Sequence, residues 1–197
     1  VILYIVLITL LWPLCVLLIS IPLGQFSFFR KYIGKIWNRI TGKKAVTGCT
    51  RIAIFASGAG SNAQKIIEYF KDSSRVRVEL IVCNKPGAGV LNIAAANGIE
   101  SMLVIKTADY GTAAFLAELK RRKIDLIVLA GFLLKIPVTL IKAYPRKIIN
   151  IHPAILPGYG GKGMYGKYVH EAVVNNKDKQ SGITIHFVDE INDHGEI

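Results

Sequence analysis

The sequence predicts an α/β fold of the Rossmann type over residues 51–197, with a mostly parallel sheet and helices on both of its faces. Two observations lead to this prediction. Short, continuously apolar segments alternate with segments of helical length, which is typical of buried parallel strands joined by crossover helices. A glycine-rich turn also joins the first predicted strand to the first predicted helix. A region of about 147 residues is long enough to bury a sizeable core in one domain.

The predicted strands and helices alternate along this domain. Strands are predicted at residues 51–56, 76–83, 101–105, 125–130 and 148–151, and a further strand-like segment follows at residues 182–188. Helices are predicted at residues 62–71, 90–97, 112–123, 137–143 and 170–175. Because the strands are continuously apolar and helices separate them, we expect the helices to cover the sheet on both faces.

The first fifty residues differ in composition from this domain. Residues 1–29 contain no charged side chain, and residues 1–23 are long enough to cross a hydrocarbon core of about 30 Å as a helix. Residues 30–50 contain six basic side chains and no acidic one, which by the positive-inside rule places them in the cytoplasm. We therefore predict a transmembrane helix in residues 1–29, a basic juxtamembrane linker at residues 30–50, and a cytoplasmic domain tethered to the inner face of a membrane. A cleaved signal peptide is the alternative interpretation.

The charge of the chain favours small anionic ligands. The formal net charge is +12, and half of it lies in the first fifty residues. The rest is an ordinary basic excess that suits phosphorylated ligands, and no nucleic-acid-binding motif accompanies it. The cysteines, Cys15, Cys49 and Cys83, are too widely spaced for a metal or redox motif. The sequence therefore predicts neither a metal nor a nucleic-acid partner.

A polar pair stands where the strand at residues 148–151 ends. Asn150 and His152 are two residues apart, so they should point to the same side at the C-terminal end of a strand, where open α/β sheets bind ligands. Asp193 follows forty-one residues after His152. A carboxylate can orient and charge an imidazole, while an amide and an imidazolium can stabilise an oxyanion. Each residue alone also fits a structural role, as a buried histidine, a turn-forming asparagine or a loop cap.

The glycine-rich turn at residues 57–62 reads Ser-Gly-Ala-Gly-Ser-Asn. Backbone N–H groups in such a turn, together with the helix N-terminus, can hold an anion. Ser61 or Asn62 can cap the helix. A turn that serves only the packing of strand against helix is the alternative, because no complete dinucleotide or nucleoside triphosphate motif is present.

Three motifs together resemble the phosphoribosylglycinamide formyltransferase family of folate-dependent enzymes. They are Asn-Ile-His-Pro-x-x-Leu-Pro at residues 150–157, the run from His-Phe-Val to Asp-x-Gly at residues 186–195, and the turn at residues 57–62. The resemblance covers residues 51–197, roughly three quarters of the chain, and excludes the first fifty residues.

The resemblance implies a function and a cosubstrate. The implied reaction moves a formyl group from 10-formyltetrahydrofolate to the amine of glycinamide ribonucleotide in purine synthesis, without a metal. A formyltetrahydrofolate hydrolase, a methionyl-tRNA or sugar-amine formyltransferase, and a membrane-tethered inactive binding module remain alternatives. Relatives continue beyond the equivalent of Ile197, so we expect a domain that is truncated at its C-terminus.

The resemblance also assigns roles to individual residues. It assigns catalysis to Asn150, His152 and Asp193, binding of the substrate phosphate to Gly60, Ser61 and Asn62, and binding of folate to Leu133, Leu134, Lys135, Ile136 and Asn150. Many relatives have arginine at the position of Leu134, so the resemblance gives that side chain no role of its own. Residues 158–167 contain five glycines and are predicted to form a mobile loop over the site. His170 is expected to help shape the substrate pocket, and His186 lies either there or in the core.

Overall fold

The computed structural model describes residues 48–161 and 163–197, which contain the predicted α/β domain apart from Lys162. The predicted transmembrane helix in residues 1–29 and all but the end of the linker at residues 30–50 lie outside the described residues. Within the described ranges, no helix is long and apolar enough to cross a membrane.

Six strands of the described residues form one sheet. They are β1 Thr50–Ala56, β2 Val76–Cys83, β3 Glu100–Leu103, β4 Leu126–Leu129, β5 Ile148–His152 and β6 Thr184–Phe187. Their order in the sheet is β3-β2-β1-β4-β5-β6. Strands β1 to β5 are parallel, and β6 pairs antiparallel with β5 at one edge. The predicted mostly parallel α/β sheet is therefore confirmed.

Six helices connect the strands in the described part of the chain. They are α1 Ser61–Phe70, α2 Gly89–Ala96, α3 Thr107–Tyr110, α4 Ala113–Arg121, α5 Val138–Ala143 and α6 Lys167–Asn175. The ends of most elements differ from the sequence prediction by one or two residues, as helix and strand ends commonly do.

Two helices correct the sequence prediction. The single turn α3 was not predicted, because four residues are too few to show a helical period; the Asp109 carboxylate stabilises it by accepting from the Lys106 N–H at 2.7 Å. Helix α6 begins at Lys167 and not at His170. Its first turn directly follows Gly166, so the sequence alone made this turn look like part of the glycine-rich loop.

The two faces of the sheet bury separate cores. Alternate residues of β1 point to opposite faces, so Ile54 packs with α1 and α2 while Phe55 packs with α4 and α5. Both side chains are fully buried. The expectation of helices on both faces is thus confirmed.

The strand order determines where a ligand can bind. In the sheet, β2 and β3 lie on one side of β1, and β4 and β5, which come later in the sequence, lie on its other side. The connections that leave β1 and β4 therefore run to opposite faces, which opens a crevice at the C-terminal ends of these two strands.

Candidate active site

A cleft of about 790 Å³ lies at this edge of the sheet. Its walls are the turn after β1, the segment after β4, the end of β5, the glycine-rich loop and the segment after β6. The residues assigned by resemblance that line it are Ser61, Asn62, Leu133, Leu134, Lys135, Ile136, Asn150, His152 and Asp193. Gly60 is the one assigned residue that does not line the cleft. His170 and His186 also line it.

The Asp193 carboxylate connects the two polar residues of β5. Its Oδ1 lies 3.3 Å from Asn150 Nδ2 and 3.5 Å from His152 Nδ1. Both side chains therefore point to the same side of the strand, as their spacing indicates. The Oδ2 atom of Asp193 accepts from the N–H of Gly161 at 2.9 Å, so the same carboxylate also fixes the glycine-rich loop.

The His152 ring is enclosed between two acceptors. Its side chain is only 3% exposed, and its Nε2 lies 2.7 Å from the carbonyl oxygen of Tyr159. A carbonyl oxygen can only accept, so Nε2 carries a proton. Because Nδ1 faces the Asp193 carboxylate, protonation of that nitrogen gives an imidazolium with an acceptor at each N–H.

His186 is a site residue that the sequence left undecided. Its Nδ1 lies 2.8 Å from the Phe187 carbonyl oxygen and therefore donates. Its Nε2 lies 3.1 Å from Asn150 Nδ2 and 3.4 Å from Asp193 Oδ1, and in the neutral ring this nitrogen accepts from Asn150. His186 lies directly opposite Asn150 in the antiparallel pair of β5 and β6. The two hydrogens of the Asn150 amide thus have acceptors in His186 and Asp193, which fixes the orientation of that amide. In the sequence, the feature that could have indicated this role is a histidine on an otherwise apolar strand.

The turn after β1 leads directly into helix α1. Helix α1 begins at Ser61 with Gly60 as its N-cap at φ +84°, and among the described residues no side chain caps it. The expectation that Ser61 or Asn62 caps the helix is therefore wrong, because both lie in the first helical turn. The N–H groups of that turn have no intrahelical acceptor, so they are available to an anion.

Gly60 itself is required by packing. A Cβ atom at this position would lie 2.8 Å from Cβ of Val90, the second residue of α2. The positive φ of Gly60 also disfavours any other residue. The packing interpretation of this glycine thus has direct support.

Two backbone groups of the segment after β4 are held by hydrogen bonds. The Leu133 N–H donates to Ser57 Oγ at 2.8 Å, and the Tyr110 hydroxyl donates to the Lys135 carbonyl at 2.5 Å. Ile136 is buried and belongs to the core on the α4 and α5 face, whereas Leu133 is half exposed. The Ile136 side chain therefore packs in the core, although the residue also lines the cleft.

A hydrogen-bonded histidine and aspartate lie at the rim, after β6. His194 Nδ1 is 2.8 Å from Asp189 Oδ2, and Asp189 Oδ1 accepts from the Ile191 N–H at 2.8 Å. The hydrogen bond from His194, followed by that from Ile191, lowers the pKa of Asp189 below its usual value. Asp189 therefore adds a stable negative charge to the cleft wall.

Comparison with known proteins connects this geometry to a family. The formyl transferase family model matches residues 50–197. The chloroplastic phosphoribosylglycinamide formyltransferase of Arabidopsis thaliana is 43% identical over 153 residues, which are 75% of this chain and 52% of the plant protein. The phosphoribosylglycinamide formyltransferase of Bacillus subtilis is 38% identical over 152 residues, which are 75% of each chain.

Solved structures agree with these sequence relatives. The crystal structure of phosphoribosylglycinamide formyltransferase from Bacillus halodurans superposes with a TM-score of 0.66 at 35% identity, covering 75% of this chain and 76% of that one. The chain spans only about half the length of the plant relatives. With the family model matching three quarters of its length, the chain belongs to the formyl transferase family.

Proposed function

We propose that the chain transfers a formyl group from 10-formyltetrahydrofolate to the amine of glycinamide ribonucleotide, a step of purine synthesis. The observation that carries this proposal is the convergence of Asn150, His152 and Asp193 in one cleft with the start of α1. Relatives named phosphoribosylglycinamide formyltransferase support the same pair of substrates. Both substrates are anionic, which suits the basic excess of the domain.

The catalytic residues act on the charge that develops during transfer. The ribonucleotide amine attacks the formyl carbon, a C–N bond forms, and an electron pair moves to the formyl oxygen. Asn150 donates to this oxyanion with the N–H that faces Asp193 Oδ1 in the free protein, the longer of its two hydrogen bonds at 3.3 Å, and the His152 imidazolium stabilises the same charge. The Asp193 carboxylate lies 3.5 Å from His152 Nδ1 and orients the ring.

Proton transfers complete the reaction without a net change in protons. The attacking nitrogen loses a proton, and the folate nitrogen gains one as its bond to the formyl carbon breaks, giving tetrahydrofolate and the formylated ribonucleotide. His152 exchanges these protons. Since its Nε2 donates to the Tyr159 carbonyl, contact with the substrates requires the loop that carries Tyr159 to shift.

The two ends of the cleft bind different parts of the substrates. The N–H groups of Ser61 and Asn62 at the start of α1 bind the ribonucleotide phosphate. Lys85, which follows β2 and lines the same cleft, adds a positive charge there. The remaining backbone groups of residues 133–136 bind the folate ring, with apolar contact from the half-exposed Leu133.

A formylation assay tests the proposal and separates its alternatives. The full chain is incubated with 10-formyltetrahydrofolate and glycinamide ribonucleotide, and the products are identified by mass spectrometry, with the Asp193→Asn variant as control. We expect formylated ribonucleotide from the wild-type chain and little from the variant. Formate release without any acceptor would instead indicate a hydrolase. Formylation of methionyl-tRNA or of an amino sugar, when either is supplied in place of the ribonucleotide, would identify a different acceptor. Folate binding without turnover would indicate a binding module.

We also propose that residues 1–29 anchor the domain of residues 51–197 to the cytoplasmic face of a membrane. The support is the uncharged run followed by six basic side chains. We expect the full chain to sediment with membranes and to resist carbonate extraction, while a chain lacking residues 1–45 stays in the supernatant. Recovery of both chains in the supernatant would reject the anchor.

A further inference from the structure

Ser57 occupies the junction between the two substrate-binding segments. It directly follows β1 and precedes the turn that continues into α1. Its side chain lies in the crevice between β1 and β4, where it is only 2% exposed. None of the roles assigned above uses this buried hydroxyl.

Two hydrogen bonds join Ser57 to the segment after β4. Its backbone N–H donates to the Gly131 carbonyl at 3.0 Å, and its Oγ accepts from the Leu133 N–H at 2.8 Å. Gly131 has φ +75°, so the chain turns sharply there, and the two bonds hold both ends of this turn. Ser57 is thus bonded to the segment proposed for folate and is covalently joined to the turn proposed for phosphate.

We propose that Ser57 is a positioning residue that couples the two substrate subsites. The inference rests on the proposed function. Phosphate binding at the start of α1 restrains the turn of residues 58–62, and Ser57 transmits that restraint to Gly131 and Leu133. The folate segment then loses less conformational entropy when it binds its own ligand, which gives positive coupling without a large structural change.

Calorimetric titration measures this coupling directly. Tetrahydrofolate, which carries no formyl group and cannot react, is titrated into the full chain with and without saturating glycinamide ribonucleotide. We expect the ribonucleotide to raise the affinity for tetrahydrofolate by roughly threefold to tenfold, the scale of one buried hydrogen bond. The reverse titration must give the same factor, because coupling between two binding sites is reciprocal.

The Ser57→Ala variant removes only the acceptor for Leu133. We expect its coupling factor to fall close to one, while its affinity for the ribonucleotide alone stays within about twofold of wild type. Ser73→Ala is the matched control, because Ser73 Oγ also accepts backbone N–H bonds, from Arg75 and Val76 at 3.2 Å, but before β2 and so at the opposite edge of the sheet. Equal loss of coupling in both variants would overturn the inference.

A measurement on the unaltered chain keeps the inference testable if Ser57→Ala does not fold. Hydrogen exchange of the Leu133 amide, followed by NMR, should slow when the ribonucleotide alone is added. An unchanged exchange rate, or two ligands that bind the wild-type chain independently, would overturn the role of Ser57 and leave the proposed function intact. Failure of the wild-type chain to formylate the ribonucleotide would contradict the function itself.

Discussion

The two walls of the cleft are built in different ways. At the wall of β1 and α1, the atoms proposed to bind phosphate are backbone N–H groups. The shape of this backbone wall depends on close packing: a Cβ on Gly60 would meet Val90, and a Cβ on Gly89 would lie 2.9 Å from the Ala59 carbonyl oxygen. The wall at β5 and β6 consists of side chains from distant segments that meet at the carboxylate of Asp193.

Because of this difference, substitutions in the two walls should affect different properties of the protein. On the backbone wall, the atoms proposed to bind phosphate are held by the same contacts that join α1 to α2, so a change there affects stability and binding together. On the side-chain wall, one polar atom can be exchanged while the surrounding shape remains. The largest effects on catalysis should therefore arise at the side-chain wall, and the largest effects on stability at the backbone wall.

The strongest test of the side-chain wall is Asp193→Asn. Asparagine has nearly the same shape and tolerates the positive φ of 54° at this position, but it removes the charge beside His152. We expect kcat to fall by roughly 10²- to 10⁴-fold, with the urea midpoint of unfolding and ribonucleotide affinity nearly unchanged. His152→Ala should be at least as damaging, and the double variant scarcely worse than the worse single variant. Near-normal turnover in Asp193→Asn would show that Asp193 is only a loop residue.

The matching test of the backbone wall compares two neighbouring glycines. Gly60→Ala places a Cβ against Val90 and forces alanine to a positive φ, so we expect it to lower the free energy of unfolding by roughly 2 to 4 kcal/mol. Gly58→Ala adds a Cβ with nothing within 4 Å, so its stability should change by less than about 0.5 kcal/mol. Urea denaturation of both variants measures the difference. Equal stability of the two would show that the contact with Val90 is relieved at little cost.

The sequence predicted the two walls to different extents. The parallel strands and the common direction of Asn150 and His152 follow from local periodicity, which requires no knowledge of tertiary contacts. The need for glycine at residue 60 depends on how α1 packs against α2, and the partner of His186 depends on the register of an antiparallel pair. Neither feature is encoded by a local period. Only the family resemblance assigned Asp193 to the same site as His152, because forty-one residues separate them.

His186 tests whether a second layer of side chains supports the catalytic wall. His186→Phe removes the acceptor at Asn150 Nδ2 but keeps an aromatic ring on β6. We expect kcat to fall by up to about tenfold, the scale of one hydrogen bond, with KM for the ribonucleotide unchanged. His186→Gln can offer an amide oxygen to Asn150 and should recover part of the loss. Equal kcat values in both variants would show that His186 acts by packing alone.

The smallest expected effect lies at the rim of the same wall, in the pair of Asp189 and His194. The hydrogen bond from His194 lowers the pKa of Asp189 below its ordinary value of 3.8. A lowered carboxyl pKa stabilises the folded state at pH values above 3.8, and this contribution disappears as the pH falls through the lower, folded-state value. His194→Ala should therefore raise the pKa of Asp189 toward its ordinary value.

Since both partners are partly exposed to solvent, we expect the loss of stability at neutral pH to be no more than about 0.5 kcal/mol. NMR titration of the Asp189 carboxyl carbon measures the change in pKa directly. His170→Ala is the matched control, because His170 is an exposed histidine that lines the same cleft from α6, and it should leave the Asp189 titration unaltered. An Asp189 titration that is the same in His194→Ala and in the wild-type chain would show that the Ile191 N–H, and not His194, sets the charge at this rim.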